Sequence, residues 1–447
     1  MRGTTVPRIV MFAALGLAAA TAADAAQRTF VATTGNDAWP CSLTQPCRTF
    51  GAAIVNTNFG GDIVTLDSGG YGPVVIDKPL SIVVPPGVYA GVSVSGAQVD
   101  GIVVNVAGGG TVALRGLTIS GQGGTNGVRF QQGGRLVLED LKISGFFNGG
   151  NGAAIRNEST TPYSAMTLRR VSLRDSNAGI TIDGTTTSKS VTVENSSFEA
   201  LGSACITQVD DVKLLVRDTT LSDCATAFSV TQPAASFGYA ALGLERVTIT
   251  RTFTAAIQLT NNATNRSPTV TINDSAILNT GGIKVTNGAN VSVARSTIDG
   301  CGPPACLDAS GAANFVNFEV VNSEIKHGPG GIRVSLDGAA GGIVNLADSR
   351  VTQIFPGEAI YLRGTTNGVQ LDAVRNMINS NNRGIAVDTN GHVKLMGNQI
   401  VWNSTGGLVK LSQTNTYIES LNNNYITSNG WGPGSLPDEL PAISPTR

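Results

Sequence analysis

Lys284, Asp308, Arg333 and Tyr361 each follow the same local signature, a small residue and then an apolar one, in copies that return about every 25 residues. If those copies stack, the four side chains form one column of cation, carboxylate, cation and phenol. Removing a proton beside a uronate carboxylate needs such a set: a cation to neutralise the carboxylate, a base, and an acid for the leaving oxygen. In that scheme Arg333 neutralises, Lys284 is the base, Tyr361 is the acid, and Asp308 orients a cation or a metal. Arg363 and Asp388, two residues further along their own copies, face the same way as Asp183 does and extend the surface as substrate-binding candidates. A hydrolase would need two carboxylates facing one bond, and the column offers only Asp308, with Asp388 farther off. The plainer reading is that these charges solvate an exposed sheet face and pair along it.

Everything in this scheme depends on elements that hold successive copies in register. An eight-residue phrase supplies them. It reads Val112-Ala-Leu114-Arg-Gly-Leu117-Thr-Ile119, then Leu136 to Ile143, then Met166 to Leu173. Later copies begin at Val191, Leu214, Leu242, Val270, Val291, Phe318, Val344, Val369, Val393 and Tyr417. Its inward positions are spaced two, three, two. Period-two spacing predicts strand, and the step of three predicts a corner before strand resumes. A small pair and an apolar residue follow, as in Ala178-Gly179-Ile180 and Gly330-Gly331-Ile332. Small side chains there permit backbones to approach closely. Each coil thus offers three strand segments, and the thirteen phrases stack to roughly 60 Å at one strand spacing per coil.

The phrase corner forms a second column: Asp140, Arg170, Asn195, Asp218, Arg246, Asp274, Arg295, Asn322 and Asp348. Opposite charges and asparagines alternate, which suits a turn ladder that fixes register; a polar binding stripe is the other reading.

The bulk properties narrow the partners. Net charge is −1 and neither sign clusters in blocks, so nucleic acid is not an expected partner. Arg2 and Arg8, an apolar run from Ile9 to Ala22 and Ala23-Asp24-Ala25 predict a secretory signal peptide over residues 1–25. Nothing after it is apolar for long enough to span a bilayer. The expected location is secreted or periplasmic, with surface attachment through a partner left open. Residues 26–61 are expected to form an entry strand, a loop and a short capping helix carrying Phe50, Ala53 and Ile54. Residues 62–430 form the coils, and residues 431–447 a proline-rich irregular tail. An exposed end coil leaves unpaired backbone groups, hence the need for a cap.

Six cysteines in an exported chain predict disulfides. The short intervals favour Cys41–Cys47, Cys205–Cys224 and Cys301–Cys306 among the possible pairings. Zinc is the runner-up, but there is no Cys-x-x-Cys and no histidine near these residues. His327 and His392 are the only histidines and leave little room for histidine-led mechanisms. No Gly-x-Ser-x-Gly elbow or phosphate loop occurs. No cofactor is required, although a lyase could use calcium. Trp39 and Trp402 are candidates for stacking on a sugar or for covering an edge.

With the phrase typified by Val191-Thr-Val-Glu-Asn-Ser-Ser-Phe198 and the glycine–isoleucine strand after it, nearly all of the mature chain resembles the right-handed parallel β-helix (pectin-lyase-like) superfamily. Thr33-Thr-Gly35-Asn36-Asp37 and Pro46-Cys47-Arg48-Thr49-Phe50 are similar to the start of many exported bacterial β-helix proteins. The resemblance implies an all-β, single-stranded right-handed solenoid. It also implies a polysaccharide partner, since the superfamily holds lyases, hydrolases, esterases and epimerases beside adhesive and surface proteins. Its hydrolase motifs are not reproduced. Asp210-Asp211 follows Val209, Gly391-His392 leads into Val393, and neither has its companions; an Asp-Pro-His is absent. Two functions therefore remain: a polysaccharide-binding protein that cleaves by elimination, and a non-catalytic surface, adhesive or structural element. Oligomeric state is left open.

Overall fold

The computed structural model describes residues 26–436, apart from residues 98, 149–151, 237, 265, 312–313, 422 and 433–434. The expected signal peptide and most of the tail lie outside the described residues. What is described is a right-handed parallel β-solenoid of about thirteen turns. Strands pair in parallel with the strand three places further along the chain, so each coil contributes three strands, as the phrase and the small pair predicted. The first strand, Ala26–Val31, pairs with Thr57–Thr65, so the strand of the first coil already begins at Thr57. Between them, helix Phe50–Asn56 is capped by Thr49, whose hydroxyl accepts from the Ala52 amide at 3.2 Å. Phe50, Ala53 and Ile54 are its buried face, and the Phe50 ring lies 5.2 Å from that of Tyr71.

The interior is a set of apolar columns. Ile155, Ile180, Ile206, Phe228, Ile257, Ile283, Leu307, Ile332, Ile360, Ile385 and Leu408 follow one another in register, and none is more than 1 % exposed. The small residue before each isoleucine is needed because the next coil passes so close. A Cβ on Gly179 would collide with the Cys205 carbonyl, and one on Gly331 with the Ala359 carbonyl.

The step of three in the phrase is a single left-handed residue. Asp140, Arg170, Asn195, Asp218, Arg246, Asp274, Arg295, Asn322, Asp348 and Arg375 all have φ between 48° and 57°. Asn and Asp tolerate this region; arginine does so only when something holds it there. Here each arginine grips the aspartate one coil earlier with two nitrogens: Arg170 on Asp140, Arg246 on Asp218, Arg295 on Asp274 and Arg375 on Asp348, at 2.6–2.9 Å. The corner column therefore does what a register ladder should.

Beneath the corner runs a ladder that the phrase alone did not reveal. The inward position after the corner is apolar at Leu117, Leu141, Val171 and Val247, is a hydroxyl residue at Ser196, Thr219, Ser275, Ser296, Ser323 and Ser349, and is asparagine at Asn376, Asn398 and Asn424. Bending the chain at the corner takes one backbone N–H out of the inter-coil ladder, and a buried N–H needs a partner. The side chain of the next coil supplies it. Ser296 N–H donates to Ser323 Oγ at 3.1 Å, Ser323 N–H to Ser349 Oγ at 3.1 Å, and Asn376 N–H to Asn398 Oδ1 at 2.9 Å. A second run, Asn381–Asn403–Asn429, serves the next corner in the same way.

All three disulfides form as the short intervals suggested, Cys41–Cys47, Cys205–Cys224 and Cys301–Cys306, with Cα separations of 4.6, 5.8 and 5.1 Å.

Candidate functional site

The sheet built from the strands after the small pairs carries the candidate residues. Strand Ile283–Thr286 pairs with Leu307–Gly311, which pairs with Ile332–Leu336, which pairs with Glu358–Gly364. Lys284, Asp308, Arg333 and Tyr361 are direct partners in that register. Their neighbours on either side, such as Ile332 and Val334, point into the core, so the four side chains stand on the outer face. Ser310, Ser335 and Arg363 form the adjacent column two residues on.

Arg333, Asp308, Tyr361 and Asp388 are brought together. Arg333 Nη1 donates to Asp308 Oδ1 at 2.9 Å, and its guanidinium carbon lies 5.8 Å from the centre of the Tyr361 ring. The Tyr361 hydroxyl donates to Asp388 Oδ2 at 3.1 Å. Burial, with the neighbouring Asp388 charge and its hydrogen bond, pushes the Tyr361 phenol up to about 12. The group is therefore a proton donor at neutral pH and not a base. Asp388 is itself held by the Thr389 amide at 2.7 Å. Arg363 forms a looser pair with Asp337 at 3.5 Å.

Lys284 is in the column but is not brought to this group. It stands two coils from Arg333 and three from Tyr361, roughly 10 and 14 Å along the axis, with Asp308 between. Among the described residues it makes no ion pair and no side-chain hydrogen bond. A base at Lys284 and an acid at Tyr361 therefore do not flank a single sugar linkage.

Of the concave regions elsewhere, two bear on ligand binding. The larger, about 810 Å³, is an open groove along the phrase corner, lined by Arg295, Asn322, Glu324, Asp348, Arg350 and Arg375 among others. It opens where the short Asn322 interrupts the Asp–Arg pairs. The second, about 320 Å³ and more enclosed, lies on the same sheet face as the Lys284–Tyr361 column, toward the N terminus, around Arg156, Thr181 and Asp183. Sequence reading placed Asp183 on that face but not the pocket that Arg156, Thr181 and Thr207 form with it.

The remaining suspects are turn residues. Asp210 is buried, accepts from Gln232 and Ser236 at 3.1 and 2.5 Å, and sits at φ 63°. His327 pairs with Asp299 at 2.7 Å, and His392 packs edge-on against Tyr417. Trp402 occupies a left-handed corner and is exposed, while Trp39 is also exposed and its backbone carbonyl lies 3.4 Å from Cys47 Sγ. Among the described residues no three His, Cys, Asp or Glu side chains gather as metal ligands, and no helix is long and apolar enough to cross a membrane.

Three parallel strands per coil, left-handed corners and internal side-chain ladders define a parallel β-helix protein. The family profile of the right-handed beta helix region matches residues 100–266 and 164–325, and the chain belongs to that family. Similar solved structures include XylC in complex with xylose, at 8% identity, covering 66% of this chain and 69% of that one with a TM-score of 0.46. Pectate lyase Pel9A is 13% identical over 68% of this chain and 79% of its own, TM-score 0.40. PfbA, a surface adhesin of Streptococcus pneumoniae, is 11% identical over 80% and 86%, TM-score 0.34. These likenesses are ones of fold. No curated protein matches in sequence.

Proposed function

We propose that this protein binds an acidic polysaccharide along the outer face of the third-strand sheet, outside the cytoplasm, with Arg333 as the anchor. One observation carries the reading. Asp308, Arg333, Tyr361 and Asp388 present carboxylate, guanidinium, aromatic ring and carboxylate on consecutive coils, a spacing comparable with that of successive sugar residues. Arg333 spends one nitrogen on Asp308 and keeps further donors for a ligand carboxylate. Tyr361 offers a ring face beside it. The three disulfides suit an oxidising compartment.

Cleavage by elimination is the second reading, favoured by the phenol that burial and Asp388 keep protonated next to a guanidinium. Lys284 is too distant to be its base, so the proton would have to leave to another group. The non-catalytic reading is favoured by the mutual pairing of the charges in the column. A screen of purified protein against pectate and alginate, with and without calcium, separates them by measuring binding calorimetrically and unsaturated products by absorbance. Binding without product supports the non-catalytic form, and product lost in Arg333→Ala with the fold intact supports the lyase. No binding to any polyuronate removes the proposal.

A further inference from the structure

The enclosed pocket is built differently from the column. It is lined by Arg156, Glu158, Thr181, Asp183, Thr185 and Thr207, with Asn157 in its wall. Its carboxylates stand on neighbouring coils, and each spends one oxygen on the protein. Asp183 Oδ1 accepts from the Thr185 amide and hydroxyl at 2.9 and 2.6 Å. Glu158 Oε1 takes both contacts from Arg129, at 2.7 and 2.6 Å. Among the described residues, Asp183 Oδ2 and Glu158 Oε2 accept no hydrogen bond. Both residues line a space of about 320 Å³, the small end of ligand pockets.

Two further features mark the pocket as incomplete. The Thr181 hydroxyl is buried on this face without a hydrogen-bond partner, whereas Asn157, paired with Ile182 in the register, turns its side chain into the core. Such orphans are uncommon in folded proteins and cost stability where they stand. Lys189 is 2 % exposed, its ammonium donating at 3.2 Å to Thr187 Oγ1, and its charge acts on Asp183 and Glu158. Arg129, Arg156 and Lys189 are set against Asp100, Glu158 and Asp183, so the charges balance and the pocket offers no net attraction for an anion. Free carboxylate oxygens accept from hydroxyls, and an arginine in the wall donates to ring or hydroxyl oxygens.

We propose that this pocket is a separate subsite for one neutral, hydroxyl-rich sugar ring, held by Asp183 and Glu158 through its hydroxyls. It rests on the carbohydrate reading of the face but shares no residue with the Arg333 column. Arg156 and Arg333 stand seven coils apart on one continuous sheet, roughly 34 Å, so one long chain can reach both.

The test is titration calorimetry of the full chain with cellohexaose, mannohexaose and a galactan hexaose, and separately with hexagalacturonate. Wild type, Asp183→Asn, Glu158→Gln and Arg333→Ala are compared, with urea midpoints as a folding control. The subsite predicts binding of at least one neutral hexaose, weakened about tenfold or more by Asp183→Asn and by Glu158→Gln and unchanged by Arg333→Ala. Neutral hexaoses that fail to bind at about 5 mM, or that bind equally well to folded Asp183→Asn and Glu158→Gln, overturn it. Wild type that binds a neutral hexaose but not hexagalacturonate removes the Arg333 proposal and leaves this one standing.

Discussion

Replacing Arg333 by alanine perturbs two things, and the structure says how to tell them apart. Arg333 is the sole partner of Asp308 among the described residues, and the Asp308 residue is only 8 % exposed. Removing the guanidinium therefore strands a carboxylate in the sheet face. A hydrogen bond between charged groups contributes about 1.5–3 kcal/mol. Because the Arg333 side chain is itself 35 % exposed, screening places the stability loss nearer 1–2 kcal/mol, as an order of magnitude. If Arg333 also binds a ligand carboxylate with a similarly screened bond, about 1–2 kcal/mol, the dissociation constant rises about 5- to 30-fold. Asp308→Asn added to Arg333→Ala removes the stranded charge without restoring the cation. The double variant should regain most of the urea midpoint while its affinity for hexagalacturonate stays weak. Affinity that returns together with stability would show that Arg333 acts only through the fold, and the reasoning would be refuted.

Three other outcomes are expected. Asn398→Ala deletes four bonds, to the Ala373 carbonyl at 2.8 Å and Asn424 Oδ1 at 3.0 Å and from the Asn376 amide at 2.9 Å and Asn376 Nδ2 at 3.0 Å, so it should cost about 2–5 kcal/mol by urea denaturation. Asn398→Ser, which reproduces the Ser349 arrangement, should cost clearly less, and equal costs would discredit the ladder account. In spectrophotometric titration, one phenol should ionise near 12 in wild type and move back toward 10 in Asp388→Asn. Because that folded value is raised, its stabilising share is complete below pH 10 and is lost as pH rises through about 12. The corner aspartates behave oppositely: their arginine partners hold Asp218, Asp274 and Asp348 below the usual carboxylate range. Their stabilising share is present above the unfolded value near 4 and fades as pH falls through the lowered folded values. Arg295→Asn, which suits the left-handed corner, should flatten the acid side of the stability curve; an unaltered curve would show that the Asp274 pair contributes nothing.

The architecture was legible because a solenoid repeats one local rule. The two-three-two spacing located strand, corner and strand, and the column of Lys284, Asp308, Arg333 and Tyr361 came out in the register that spacing implied. What a column cannot express is distance along it: Lys284 and Tyr361 belong to one list yet stand three coils apart. The Ser–Asn ladder was hidden for a different reason. Its position is apolar in the first three phrases and, Val247 apart, polar later, so a search for apolar period passed over the change from Val171 to Ser196. A small polar residue replacing an apolar one at a fixed inward position was the available signal. The Asp183 pocket had none, because its shape depends on the turn after the strand, where Thr185 folds back onto Asp183.

The most direct test of the central claim is a crystal structure of the full chain with hexagalacturonate. The account predicts a sugar carboxylate within hydrogen-bond reach of the Arg333 guanidinium, with a ring against Tyr361 and the chain running across Asp308 and Asp388. An oligosaccharide seated in the corner groove between Arg295 and Arg375, with the Arg333 face empty, would contradict it.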